Sequence, residues 1–199
     1  MAEISVEGAG QPAERPVAGP AWRERRWLLL GIAVAILALF ALLFYGLRNN
    51  PNVESGGAVS LDRAAPDFSV TALDGSRLRL GDLRGKVVVL NIFGSWCLPC
   101  HQEAEALNQV HNRYQAQGRD VVFVGIAWND EDSEVRKFVQ RYNVPYLVAL
   151  DHDGRIAIDY GKTGVPETFF IDREGRLTQK WVGPITAPRL SALLDQMVR

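Results

Sequence analysis

The order of apolar and polar residues divides the chain into an uncharged segment and a region of alternating short patterns. From Trp27 to Leu47 there are 21 consecutive residues without a charged side chain. From about residue 65 onward, short apolar runs alternate with stretches in which apolar residues recur at helical spacing. These patterns are typical of buried strands and amphipathic helices, so the chain is predicted to contain one hydrophobic helix followed by an α/β domain.

Two neighbouring elements form the predicted centre of this domain. Val87–Phe93 is an apolar, β-branched run short enough for a buried strand. A Gly-Ser turn follows it, and a helix is predicted over about residues 99–117. The other predicted elements are a hairpin (68–73 and 77–80), a strand (121–127), a helix (133–142), a strand (146–150), an ambiguous segment that suits a short helix (155–160), a hairpin (168–172 and 177–182) and a helix (188–198). This order predicts a mixed sheet with helices on both faces.

The chain is predicted to have four parts. Residues 1–22 are rich in Gly, Pro, Ala and Glu and favour a disordered cytoplasmic tail. Residues 23–48 are predicted to be a transmembrane anchor, because 21 helical residues extend about 31 Å and a bilayer core is about 30 Å thick. Residues 49–64, which contain Asn, Pro, Ser and Gly, are predicted to be a linker. Residues 65–199 form the predicted domain.

Charges beside the uncharged run predict its orientation. Arg23, Arg25 and Arg26 precede the run and Arg48 alone follows it closely, so the N-terminus is expected in the cytoplasm and the domain outside. A cleaved signal peptide is the alternative. The run is longer than the usual apolar region of a signal peptide, about 7–15 residues, and no Ala-x-Ala site follows it. An uncleaved anchor in the lipid bilayer is therefore favoured.

Composition limits the class of function. The chain has 199 residues and 47% hydrophobic content, enough to bury one core. Its 22 basic and 23 acidic side chains give a net charge of −1. A nucleic-acid partner is not expected, because such proteins need a basic surface.

Both cysteines lie in the segment Trp96-Cys97-Leu98-Pro99-Cys100. At the start of a helix their Cα atoms are about 5–6 Å apart, within the range of a disulfide. Closing so short a loop adds little stability, so a redox pair is indicated. Cys97 lies at the positive end of the helix dipole, which stabilises a thiolate, and is predicted to be the nucleophile. Cys100, one turn further in, is predicted to be the less exposed, resolving thiol.

Two other chemistries suit the same residues. The string from Cys97 to His101 matches the Cys-x-x-Cys-His pattern of covalent haem attachment. Pro99 and the preceding buried strand argue against haem attachment. So does the lack of a nearby axial methionine, since the only methionine beyond the initiator is Met197, near the C-terminus. His101 is then expected to be a solvated helix residue. Copper(I) bound by Cys97 and Cys100 with a histidine is the second alternative, although no Met-rich segment accompanies them. The favoured prediction needs neither a metal nor a cofactor.

The cysteine motif and the later segment Gly164–Asp172 (Gly-Val-Pro-Glu-Thr-Phe-Phe-Ile-Asp) resemble the thioredoxin fold. More narrowly, they resemble the membrane-anchored thiol:disulfide interchange proteins of cytochrome c maturation, the DsbE/CcmG group and its ResA/TlpA-like relatives. The segments Ala65–Phe68 and Gly85–Asn91 resemble that group and the wider redoxin superfamily. The resemblance implies an α/β, thioredoxin-like fold with an N-terminal hairpin extension. A redoxin-type peroxidase is not favoured, because Phe93–Cys97 lacks the Pro-x-x-x-Thr/Ser-x-x-Cys setting.

The resemblance also implies roles for five further residues. Pro166 is expected to be a cis-proline facing the disulfide, and the Val165 backbone to pair with an extended substrate. Glu103 either exchanges protons with the buried sulfur or is a solvated helix glutamate. Glu167 either faces the substrate groove or caps a strand edge, and Trp96 is expected to be an exposed wall for the substrate.

Two neighbouring positions refine this picture. Asn91 stands where thioredoxin has a buried aspartate. Since asparagine cannot carry a proton, Glu103 is the nearest remaining candidate for that role. Trp128, after the second central strand, suits the core and the rim of the site equally well.

The resemblance implies a reductant that opens the disulfide of an apocytochrome c Cys-x-x-Cys-His segment, so that haem can attach. Its electrons would come from a polytopic membrane thiol transporter. The motif alone does not set the direction, because reductants and oxidants share it. A general extracytoplasmic disulfide reductase or oxidase, acting on other disulfide-bearing proteins, is therefore the alternative.

Overall fold

A computed structural model describes residues 22–48 and 57–198 of the chain. Its first element is helix α1, Trp22–Arg48. Within α1, the 21 residues Arg25–Tyr45 are long and apolar enough to cross a membrane, and all their side chains are exposed. The predicted helix is thus present. The predicted tail, apart from its last residue, and the first part of the predicted linker lie outside the described residues.

The domain contains eight described strands and four further helices. The strands are β1 (Gly57–Ala64), β2 (Ser69–Thr71), β3 (Arg77–Arg79), β4 (Val87–Phe93), β5 (Val121–Trp128), β6 (Leu147–Asp151), β7 (Glu167–Ile171) and β8 (Arg176–Val182). The helices are α2 (Leu98–Ala116), α3 (Asp132–Tyr142), α4 (Arg155–Asp159) and α5 (Ala187–Met197), with a 3₁₀ turn at Leu80–Leu83. The predicted elements are confirmed within a few residues, and the ambiguous segment 155–160 is helical.

Six strands form one mixed sheet in the order β1-β8-β7-β4-β5-β6. Strands β4, β5 and β6 are parallel, whereas β7 runs antiparallel to β4 and β8 antiparallel to β7. The hairpin β2-β3 is separate, and Ala72 bridges it to Ala149 at the edge strand β6. The register places Thr168 opposite Asn91, which brings the start of β7 to the carboxyl end of β4.

Strand β4 is buried on both faces because elements cover both sides of the sheet. Val88, Leu90 and Ile92 pack in a cluster with α4 and the β2-β3 region, and Val87 and Val89 pack in a second cluster with α2 and α5. Alternate residues of a strand point to opposite faces, which accounts for this division. The predicted mixed sheet with helices on both faces is confirmed.

Strand β1 differs from the sequence prediction. Residues 49–64 were expected to be a linker, but Gly57–Ala64 pairs antiparallel with β8. Most of its side chains are exposed, so the backbone ladder holds it to the sheet rather than a buried face. The linker prediction is therefore wrong for residues 57–64, because an exposed edge strand carries little hydrophobic pattern.

Candidate active site

The two cysteines lie where the carboxyl end of β4 meets the N-terminus of α2. Cys97 is the N-cap of this helix, and its Sγ accepts a hydrogen bond from the Cys100 backbone N–H at 3.2 Å. The two residues form a disulfide, with their Cα atoms 5.3 Å apart. The predicted geometry is confirmed, and the N–H contact is of the kind that stabilises a thiolate.

Both cysteines are buried in the disulfide form, and Cys100 is the less exposed of the two, as predicted. In the disulfide form Cys97 is only 4% exposed and Cys100 only 1% exposed. Leu98, between them, is 70% exposed. The N-cap position directs the Cys97 sulfur toward the helix, and Val165 packs against the cluster that contains both cysteines. The role of the Cys97 thiolate as the attacking group belongs to the reduced protein and stays a prediction.

The turn before Cys97 is attached to the loop after β5. Asp130 accepts hydrogen bonds from the Ser95 backbone N–H at 2.5 Å and from Ser95 Oγ at 2.7 Å. Gly94 is required because a Cβ atom there would lie 2.7 Å from the Trp96 ring. The turn and the β5–α3 loop thus form one connected wall beside the disulfide.

Aromatic side chains form the outer part of this wall. Trp96 is 54% exposed, and its Nε1 donates to the Asn129 carbonyl at 3.0 Å. Its ring centroid lies 6.4 Å from that of Trp128. Lys162 Nζ lies 3.4 Å from the centre of the Trp128 ring, a cation–π contact. Trp128 is half-buried, so it belongs to the rim that the sequence left undecided.

His101 is not the solvated residue expected from the sequence. It is half-buried, with Nε2 2.7 Å from the Ser95 carbonyl and Nδ1 2.8 Å from the Tyr142 hydroxyl. Both ring nitrogens are engaged, so neither is free to ligate a haem iron in this arrangement. The prediction failed because Tyr142 lies 41 residues further along the chain, beyond any local pattern.

Glu103 lies inside the domain, at 2% exposure. Its oxygens accept hydrogen bonds from Asn91 Nδ2 at 2.8 Å and from the Ile185 backbone N–H at 3.0 Å. Burial raises the pKa of Glu103 from 4.5 to about 8, and these two hydrogen bonds oppose that rise. The solvated alternative is therefore wrong, and the carboxyl group can hold a proton at neutral pH.

Asn91 connects Glu103 to strand β7, which begins directly after Pro166. Besides Glu103, Asn91 Nδ2 donates to Thr168 Oγ1 at 3.1 Å. No local pattern in the sequence indicated Thr168 or Ile185 as partners of Asn91 and Glu103. Only the β4–β7 register could have indicated Thr168, since it pairs directly with Asn91.

The Val165–Pro166 peptide bond is cis, as predicted. Val165 is half-buried and packs against the cysteine cluster. The position of Pro166 facing the disulfide and the contact of either residue with a substrate stay predictions.

The Glu167 side chain does not face a groove. It is 0% exposed, and Oε1 accepts hydrogen bonds from the Thr163 N–H at 3.0 Å, the Thr163 hydroxyl at 2.5 Å and the Gly164 N–H at 3.0 Å. Lys180 Nζ lies 2.9 Å from Oε2 and also donates to the Gly161 carbonyl at 2.8 Å. The expectation of a substrate-facing side chain is corrected: Glu167 holds the loop that precedes Pro166.

The fold and the site define a class of protein. A Cys-x-x-Cys disulfide at a helix N-terminus, together with a cis-proline just before a strand of the same mixed sheet, is typical of a thioredoxin-fold thiol:disulfide oxidoreductase. The sequence matches the AhpC/TSA family model over residues 61–180. The chain belongs to this family, and within it to the thiol:disulfide oxidoreductases of the DsbE and ResA type.

Named relatives support this assignment. The chain is 40% identical over 167 residues to the thiol:disulfide interchange protein DsbE of Allochromatium vinosum, covering 82% of this chain and 87% of that one. It is 32% identical over 139 residues to the thiol-disulfide oxidoreductase ResA of Bacillus thuringiensis subsp. konkukian, covering 70% and 79%. The crystal structure of a thioredoxin-family thiol:disulfide interchange protein from Chlorobium tepidum matches with TM-score 0.64 and 28% identity, over 71% of this chain and 99% of that one.

Proposed function

We propose that this protein is a membrane-anchored, extracytoplasmic reductase that opens the disulfide of apocytochrome c during cytochrome c maturation. The observation that carries the proposal is the Cys97–Cys100 disulfide, whose first sulfur accepts the Cys100 N–H at the start of α2. Similarity to DsbE and ResA proteins supports the same chemistry.

The reaction is a two-electron exchange. The Cys97 thiolate attacks one sulfur of the client disulfide, forms a mixed disulfide and releases the other client sulfur as a thiolate, which takes up a proton. Cys100 then loses its proton and attacks Cys97 Sγ, which releases the second client thiol and closes the Cys97–Cys100 disulfide. The client gains two electrons from the protein and two protons. The protein gives up the Cys100 proton, and solvent supplies the other proton because Cys97 reacts as a thiolate.

Glu103 is the proposed proton acceptor for Cys100. It lies on the same face of α2 one turn after Cys100, and at a pKa of about 8 it exchanges protons near neutral pH. Asn91 holds the carboxyl group in place but has no proton to exchange. The role of Glu103 as a proton carrier is part of the proposal.

The surface that binds the client is proposed to combine the exposed Trp96 ring with the backbone just before strand β7. Trp96 supplies an exposed aromatic face beside a groove of about 440 Å³. The Val165 backbone, next to the cis-proline, is proposed to pair with an extended client segment. Glu167 acts indirectly, because it holds Thr163 and Gly164 just before this backbone.

Helix α1 supplies the proposed attachment. Its apolar stretch Arg25–Tyr45 is long enough to span a bilayer. The arginines before this stretch favour a cytoplasmic N-terminus and a domain on the outer side. The oxidised protein needs a thiol donor, for which we propose a polytopic membrane thiol transporter.

The reduction potential of the Cys97–Cys100 pair tests the direction of the reaction. The full-length protein in detergent is equilibrated with glutathione buffers, and its reduced fraction is measured by thiol alkylation. A potential near that of thioredoxin, about −270 mV, supports a reductase, whereas a value near that of DsbA, about −120 mV, indicates an oxidase.

A client peptide tests the specificity. Oxidised peptides containing Cys-x-x-Cys-His are compared with scrambled peptides of the same composition. Faster reduction of the former supports apocytochrome c as the client, and equal rates with a low potential indicate the general reductase. Stoichiometric copper(I) or haem on the purified protein, with no exchange activity, would overturn the proposal.

A further inference from the structure

Ser95 lies two residues before Cys97, and each of its polar groups is engaged. Its N–H and its hydroxyl donate to the two carboxylate oxygens of Asp130, at 2.5 and 2.7 Å. Its carbonyl oxygen lies 2.7 Å from His101 Nε2. Ser95 therefore connects the loop after β5 to the first turn of α2.

The contacts of His101 fix the tautomer of its ring. A carbonyl oxygen only accepts hydrogen bonds, so Nε2 must carry the hydrogen that faces Ser95. In the neutral ring Nδ1 then accepts from the Tyr142 hydroxyl, 2.8 Å away. The ring also packs against both Phe138 and Tyr142, with centroids 5.1 and 5.5 Å away. Rotation of His101 would break both hydrogen bonds and this packing.

The path of the turn determines where the Cys97 sulfur lies. The Cys97 N–H donates to the Gly94 carbonyl at 3.1 Å, and Ser95 lies inside that turn. In the oxidised protein the disulfide itself keeps the sulfur of Cys97 near the helix. Once it is reduced, the covalent bond is gone, and the hydrogen bonds of Ser95 remain to hold the turn.

We propose that Asp130 and His101 are positioning residues of the exchange reaction, which act through Ser95 to keep the Cys97 sulfur at the N-terminus of α2 after reduction. The histidine of the Cys-x-x-Cys-His motif, His101, thus bonds to the backbone carbonyl of Ser95. This proposal goes beyond the proposed function, because it concerns the exchange chemistry and does not depend on the client.

Two substitutions at His101 and one at His111 test the proposal on the full-length protein in detergent. His101→Phe keeps an aromatic ring but removes the donor to Ser95, whereas His101→Gln keeps an N–H donor at a similar reach. His111→Phe is the matched control, because His111 is on the same helix and packs against Phe123 and Tyr146. The readouts are the pH profile of iodoacetamide labelling of Cys97 and the reduction potential.

His101→Phe is expected to slow the labelling of Cys97 at pH 7 about tenfold. The reason is that a displaced Cys97 thiolate accepts a weaker charge-assisted hydrogen bond from the Cys100 N–H. Its reduction potential should become more negative, because the reduced form loses the stabilisation of its thiolate. His101→Gln should recover most of the labelling rate, and His111→Phe should match the parent protein.

Two results would overturn the proposal. One is a folded His101→Phe protein with the parent's labelling profile and potential. The other is His101→Gln that loses as much as His101→Phe, since packing alone would then explain the effect. If His101→Phe does not fold, the labelling and the potential of Asp130→Ala are measured instead. This substitution removes the two hydrogen bonds that the Ser95 N–H and hydroxyl donate to Asp130. Slower labelling of Cys97 in that variant supports the proposal, and unchanged labelling and potential refute it.

Discussion

Two glutamates of the domain are buried, and their loss of hydration is compensated in different ways. Glu167 is 0% exposed and lies 2.9 Å from the Lys180 ammonium. Glu103 is 2% exposed, and its hydrogen bonds come from neutral donors, the Asn91 amide and the Ile185 N–H. A neutral donor offsets the loss of hydration less than an opposite charge does. This is why burial raises the pKa of Glu103 to about 8.

The Glu103 carboxyl group should make the stability of the domain depend on pH. Its pKa is about 8 in the folded protein, above its ordinary value of 4.5, so the folded state retains a proton that the unfolded chain releases. The stability that this proton provides is fully present below about pH 4.5 and is lost as the pH rises through about 8. Glu103→Gln should remove this dependence, measured as the midpoint of thermal unfolding between pH 5 and 9.

Glu105 is the control for this prediction, since it lies on the exposed face of the same helix. Glu105→Gln should retain the pH dependence of the parent protein. If Glu103→Gln retained it as well, the raised pKa of Glu103 would be refuted. Glu103→Gln should also slow the resolution of mixed disulfides, because the proposed acceptor for the Cys100 proton is lost.

Lys180 is predicted to be essential for the loop before Pro166. Lys180→Met should destabilise the domain by about 3–5 kcal/mol, because it leaves the buried Glu167 charge without its partner. Denaturant unfolding measures this loss. Lys137→Met is the control: Lys137 pairs with Glu134 on the surface, where loss of a pair costs about 1 kcal/mol or less. Equal effects of the two substitutions would contradict the role of Lys180.

Among the elements, the N-terminus of helix α2 organises the chemistry. It places Cys97 at the N-cap, directs the Cys100 N–H at its sulfur, and carries Glu103 one turn further on. Strand β7, antiparallel to β4, brings Thr168 next to Asn91. The active site is therefore made by one strand–helix junction, the start of one neighbouring strand and the loop after β5.

This arrangement predicts distinct roles for the two sulfurs. Cys100→Ser should trap client proteins covalently on Cys97, because the mixed disulfide cannot be resolved. Cys97→Ser should trap almost none, since the Cys100 sulfur lies further inside the fold. Non-reducing gels followed by mass spectrometry measure the trapped species. Trapping by Cys97→Ser instead would show that the roles are reversed.

On the scale of the whole molecule, one apolar helix precedes one redox domain. The 21 residues Arg25–Tyr45 form a candidate membrane span, and the described residues 57–198 belong to a compact unit of their own. Attachment would confine the domain to the membrane surface, where we propose that it meets its thiol donor and its client.

A reporter fused after Arg199 tests the proposed orientation. An enzyme that is active only outside the cytoplasm should be active in this fusion, because the arginines before the span favour a cytoplasmic N-terminus. The same fusion without residues 23–48 should be inactive. An active cytoplasmic reporter at Arg199, together with a silent external one, would reverse the orientation.

Strong local patterns determined the central elements. Strand β4 was predicted over Val87–Phe93 and occupies those residues, because a β-branched run between turns has few alternatives. The cysteine spacing determined the disulfide in the same way, since both positions lie on one turn of a helix. These features depend on neighbours in sequence, which the sequence displays directly.

Tertiary structure decided the features whose partners are far apart in the chain. Residues 57–64 form a strand because they pair with β8. Glu167 faces inward because the Lys180 ammonium on the neighbouring strand β8 pairs with it. His101 was predicted to be solvated, but in the fold its ring nitrogens contact the Tyr142 hydroxyl and the Ser95 carbonyl. The sequence by itself determined which residues carry the redox chemistry. The packing of the sheet and helices decided which side chains hold them in place, because the free energy of a buried polar group depends on partners that only the fold brings together.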